Sequence, residues 1–133
     1  MKKRTIMIIL AILLLGILFP FAALTQIFSG YAVVFNFVFN SLVSHILMHM
    51  ALFGSFSWIV MTFYSNRPMK QLILICLGCF LGVGVIQESI QMLSVGVFNV
   101  GASLFDLGID LAGGTIPLLI NFLLIKPSKK KLV

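Results

Sequence analysis

Four long apolar stretches divide the chain, and none of them alternates polar with apolar positions. They cover about 5–24, 42–64, 72–93 and 104–125. Each approaches the ~20 residues that a helix needs to cross a hydrocarbon core of ~30 Å. Open strands cannot cross lipid, because their edge amides would stay unpaired, and barrel strands would be short and alternating. The pattern therefore predicts an all-α membrane protein, a bundle of four transmembrane helices in a single domain spanning 1–133. The first stretch is uncharged and follows Lys2, Lys3 and Arg4, an outline shared with secretory signal peptides. It is long for such a segment, and no small-x-small cleavage site follows Pro20, so a retained helix is expected. The connection at 25–41 is itself apolar. Tyr31, Phe35, Phe37 and Phe39 suggest a segment lying in the interface or packed on the bundle. Asn66-Arg67-Pro68 marks a turn, since the residue before a proline resists the α region.

Composition narrows the class further. Of 133 residues, 61% are apolar and 9% charged, and the mean hydropathy is +1.20. A soluble domain carries about 25% charged residues, so a soluble monomer is excluded, and so is a disordered chain. The net charge of +6 does not point to nucleic acid, because the nine basic residues form no single face. They fall in three clusters: Lys2, Lys3 and Arg4; Arg67 and Lys70; and Lys126, Lys129, Lys130 and Lys131. The loops at 25–41 and 94–102 have none. Basic residues stay on the cytoplasmic side of a membrane. Both termini and the loop at 65–70 are thus expected to be cytoplasmic, and the two uncharged loops to face outward. The partner this implies is the lipid bilayer.

All three acids of the chain fall inside expected spans, where a charged side chain costs ~2.5–3.5 kcal/mol even on a mild insertion scale. Their depths agree. His45 and His49 lie near the start of the second span, Glu88 and Gln91 near the end of the third, and Ser103, Asp106 and Asp110 near the start of the fourth. All belong to the outer half of the membrane. Each group also shares a helix face, with spacings of four, three, and three then four, continuing to Gly113. Turned inward, these stripes gather two imidazoles, three carboxyls and an amide around one outward-opening pocket. Simpler roles exist for each. Ser103 with Asp106 is close to a capping box, the histidines and Gln91 can act as interhelical glue, and Gly78, Gly82, Gly113 and Gly114 can permit close helix approach. Cys76 and Cys79 form a CxxC pair at bilayer depth without a second pair, which reads as packing rather than metal or redox chemistry.

His49 with Phe53 four residues on, Glu88-Ser-Ile-Gln91 and Asp106-Leu-Gly-Ile-Asp110-Leu-Ala-Gly113, in that order, resemble the VanZ-like family of small bacterial membrane proteins. The resemblance covers about residues 44–124. The chain departs from the family at Asp110, where the family has Asn, and at Val100, where an outer-loop Arg is usual. An added acid and a lost base make the pocket more negative. The resemblance implies a multi-pass protein of the bacterial plasma membrane with a cell-envelope role, of a family linked to resistance to the glycopeptide teicoplanin. It implies no known reaction and no cofactor.

Three functional readings follow. The first is a binding protein whose outward pocket, formed by His45, His49, Glu88, Gln91, Ser103, Asp106 and Asp110, takes a lipid-linked envelope precursor or another lipophilic ligand. The second is a metal-dependent membrane hydrolase acting on a lipid-linked phosphate, since two histidines with carboxylates hold divalent ions that polarise phosphoryl oxygens or activate water. The third is a proton-coupled carrier, since buried carboxyl and imidazole chains relay protons. With no Lys or Arg in any span, at least one of Glu88, Asp106 and Asp110 is expected to be protonated unless a cation is bound, Asp110 first. On this reading Asp110→Asn is mild and Asp106→Asn impairs function.

Overall fold

The computed structural model describes residues 3–96 and 99–124, and every regular element among them is helical. In chain order the helices are α1 (Lys3–Leu18), α2 (Phe21–Leu24), α3 (Ser29–Phe39), α4 (Leu42–Phe63), α5 (Met69–Val95) and α6 (Val100–Leu124). Three of them, α4, α5 and α6, are long and apolar enough to cross a membrane. Many large apolar side chains point outward, including Trp58, Leu74, Leu93, Leu119 and Phe122, while the polar side chains described below are buried. That is the surface of an integral membrane protein.

The first apolar stretch differs from expectation. It is not one continuous helix over 5–24 but a helix of 16 residues, a bend at Phe19 and Pro20, and a single turn of α2. Pro20 has no N–H to continue the ladder, and its ring disfavours the α region for the residue before it. At 1.5 Å per residue α1 extends roughly 24 Å, short of the hydrocarbon thickness. The aromatic connection at 25–41 is largely the helix α3. Tyr31, Phe35 and Phe39 stack along one face of it, with ring centroids 5.6 and 4.5 Å apart.

The three long helices start and stop for local reasons. The Ser41 hydroxyl accepts the Ser44 N–H at 3.1 Å and caps α4. Pro68 precedes α5, and Gly96, at φ 72°, ends it by donating its N–H to the Met92 carbonyl. Asn99 caps α6 by accepting the Ala102 N–H at 3.1 Å. This overturns the capping-box alternative. Asp106 lies nearly two turns inside α6, and Ser103 is not its cap.

Because α5 returns between two short connections, α4 and α6 run parallel to each other and antiparallel to α5. The α4–α6 contact is the most extensive in the molecule, and α1 packs against α4 and α5. One half of the bundle is an aromatic core of Phe53, Phe56 and Phe80, with Cys76, Val60 and Leu118. The Phe56 and Phe80 rings meet edge to face at 6.0 Å. Cys76 and Cys79 are free thiols, Cys76 fully buried in this core.

Glycine sets the closest approach. A Cβ on Gly113 would stand 2.5 Å from the Met50 Cα, backbone against backbone. Pro117, one turn on, deprives the Gly113 carbonyl of its usual donor, and that carbonyl faces Gly54 of α4. Gly114 abuts the Phe80 ring. Gly78 and Gly82, expected to admit a neighbouring helix, face open space.

Candidate functional site

The parallel run of α4 and α6 turns two single-helix spacings into a ladder. His45 and His49 are four residues apart on α4, and Asp106 and Asp110 are four apart on α6. His45 Nε2 lies 2.8 Å from Asp106 Oδ1, and His49 Nδ1 lies 2.8 Å from Asp110 Oδ1. Both pairs join residues 61 positions apart. An ionised carboxylate only accepts, so wherever the acid of a pair is ionised the ring nitrogen donates. The two imidazoles stack, with centroids 4.5 Å apart and planes inclined by 39°.

The pairs differ in depth. The His49 and Asp110 side chains are 10% and 0% exposed, whereas His45 and Asp106 are 37% and 12% exposed. The outer pair opens the cluster to its surroundings and the inner pair closes it off.

Glu88, on α5, supplies the third carboxyl. It is buried and lies within electrostatic reach of Asp106, His49 and Asp110, with Ser103 of α6 near its carboxyl. A Cβ on Gly84, one turn before it, would stand 3.4 Å from Asp110 Oδ2, so that oxygen faces α5. Among the described residues Glu88 Oε1, Asp110 Oδ2 and Gln87 Oε1 are buried with no hydrogen-bond donor. Each such atom costs about 1–3 kcal/mol. Three unmet acceptors at one depth are a strong demand for something that donates or carries positive charge.

The structure brings together most of the polar residues singled out in the sequence, as a cluster between helices. His45, His49, Glu88, Asp106 and Asp110 come together, with His45 paired to Asp106 and His49 to Asp110. Gln91 is only half-buried, and its amide takes no partner among the described residues. The buried glutamine is Gln87, which sequence reasoning missed.

One ring nitrogen of each histidine and one Asp106 oxygen lie within 4.8 Å of one another, so these three residues could share a metal ion. The opposite end of the bundle carries different chemistry. Its cavity of about 900 Å³ is lined by Trp58, Met61, Arg67, Leu72 and Asn121 among others, with no acid or histidine. Lys3 sits at that end too, beside Tyr64 and Arg67. Among the described residues the acids and the Lys and Arg side chains therefore occupy opposite ends of the bundle.

No protein-family model, curated protein or solved structure matches the chain.

Proposed function

We propose that this protein is a VanZ-like multi-pass protein of the bacterial plasma membrane with a cell-envelope role, and that its acidic cluster binds a lipid-linked or lipophilic ligand in the outer leaflet. The observation that carries this reading is the convergence of His45, His49, Glu88, Asp106 and Asp110 inside an otherwise apolar bundle, with His45 at an open edge. Polar groups in a membrane interior are costly and face a partner rather than lipid. In this reading α1, continued through α2, completes a bundle of four spanning helices. Lys3, Arg4, Arg67 and Lys70 mark the cytoplasmic end, both termini are cytoplasmic, and the cluster opens outward.

Two measurements test it. In a background free of native cysteines, an impermeant thiol reagent added from outside should label a cysteine at Asn99 and spare one at Asn66. The reverse pattern would invert the bundle and close the pocket to the outer leaflet. Mass spectrometry of the protein extracted in mild detergent should find a retained lipid, lost in Asp106→Asn. Equal retention by that variant would remove the cluster from ligand binding.

A further inference from the structure

We propose that His45, His49 and Asp106 form a binding site for a divalent transition metal of zinc's type, with Asp110 orienting His49. The proposal rests on reading the cluster as a ligand site and names the ligand's first component.

Three observations converge on it. The donor atoms are already gathered, within 4.8 Å of one another, from two helices held in fixed register. Imidazole nitrogen with carboxylate oxygen suits zinc-like ions, whereas magnesium and calcium favour all-oxygen sets. Ligand atoms on a tetrahedral zinc stand roughly 3.3 Å apart. An ion replacing the proton between His45 and Asp106 would widen their 2.8 Å contact only slightly.

The second observation is the hydrogen bond behind His49. With Asp110 ionised, as it would be beside a bound cation, Nδ1 donates across the 2.8 Å contact and the neutral ring's lone pair falls on Nε2. A carboxylate gripping the far nitrogen of a ligating histidine is the usual outer support of a metal site. It fixes the tautomer and the ring's angle. Asp110 is fully buried and so serves this purpose without competing for the ion.

The third is the charge. Every Asp and Glu in the chain belongs to this cluster, and the described Lys and Arg residues lie at the other end. Glu88 Oε1 and Asp110 Oδ2 are buried without donors. A divalent ion offsets the excess, and a water it carries supplies a donor. It also gives an acidic pocket the means to hold an anionic headgroup, which carboxylates alone would repel. The exposed edge at His45 leaves a coordination position open.

The test uses the full-length protein in detergent, in metal-free buffer, titrated with Co²⁺ and then challenged with Zn²⁺. One Co²⁺ per chain should bind, with the visible d–d absorption of a low-coordinate site, and Zn²⁺ should displace it. His45→Ala, at the half-exposed position, should keep its helical circular dichroism and lose the absorption. Asp110→Asn should keep the absorption and weaken binding by about 10–100-fold. Cys76→Ser with Cys79→Ser should change nothing, which excludes the thiols. Failure of folded wild-type protein to take up stoichiometric Co²⁺ would overturn the proposal, as would uptake that survives His45→Ala with His49→Ala. A metal-free protein that still retains lipid would remove the ion and leave the binding reading intact. Metal uptake by a protein that retains no lipid would do the opposite.

Discussion

The two His–Asp pairs have the same donor–acceptor distance and the same sequence separation, yet they occupy different environments. The inner pair, His49 with Asp110, is buried between α4 and α6, with Asp110 Oδ2 turned toward α5. The outer pair, His45 with Asp106, is partly open. A sealed pair gains strength from its low-dielectric surroundings but leaves a stranded charge if either member is lost. An open pair is screened and replaceable, and so is free to exchange its partner for a ligand. Identical chemistry one helical turn apart thus separates into support and access.

The largest effect should come from the contact that both pairs depend on. Gly113→Ala puts a methyl group into the Met50 backbone, which has no side chain to rotate away. The helices must part, and both pairs part with them. We expect a loss above about 3 kcal/mol in reversible unfolding from mixed micelles. Gly82→Ala, facing open space, should be neutral or gain up to about 1 kcal/mol from helix propensity. Equal effects of the two changes would show that the close approach at Gly113 is not what holds α4 to α6.

The next effect separates the pairs themselves. His49→Ala leaves Asp110 fully buried with no donor and should cost about 2–4 kcal/mol. His45→Ala should cost less than about 1 kcal/mol. The same unfolding measurement checks both. Similar losses would mean that burial does not distinguish the pairs.

The smallest stability effects should carry the clearest functional split. Asn at 110 keeps an oxygen to accept from His49, so Asp110→Asn should lose less than about 1 kcal/mol. Asp106→Asn should be as mild for folding but should abolish lipid retention. A reversal, with Asp110→Asn the more damaging to retention, would make the inner carboxylate the ligand contact.

How far the sequence could be read depended on the kind of interaction involved. The three long helices were legible because hydrophobic length depends on composition alone. They begin and end within a few residues of the expected bounds, although residue 125 and the basic tail lie outside the described residues. The break in the first stretch was missed for the same reason, since hydropathy does not register that Pro20 interrupts the helical ladder. Its effect on Phe19 was nevertheless a readable local signal. That His45, His49, Glu88 and Asp106 share one level of the bundle was legible from topology. Their pairing was not, because it depends on the offset between α4 and α6, which is set by where Gly113 meets Met50. Gly78 and Gly82 have the same residue type and a tidier spacing, yet they meet nothing. A glycine motif declares that close approach is allowed, and only the fold decides whether a neighbour arrives.

The ladder between α4 and α6 also restricts how this protein can move. If α6 slid one turn deeper, Asp106 would face His49, and Asp110 would enter the phenylalanine layer with no donor. If it slid one turn outward, Asp110 would face His45 and His49 would be left alone. Either slip also brings a larger residue to the level of Met50, Ile109 in the first case and Pro117 in the second, where the spacing accommodates only glycine. The rungs and the glycine act together as a detent against sliding. Any opening of the site must therefore come from helices tilting or swinging apart at the His45 end, hinged near Gly113.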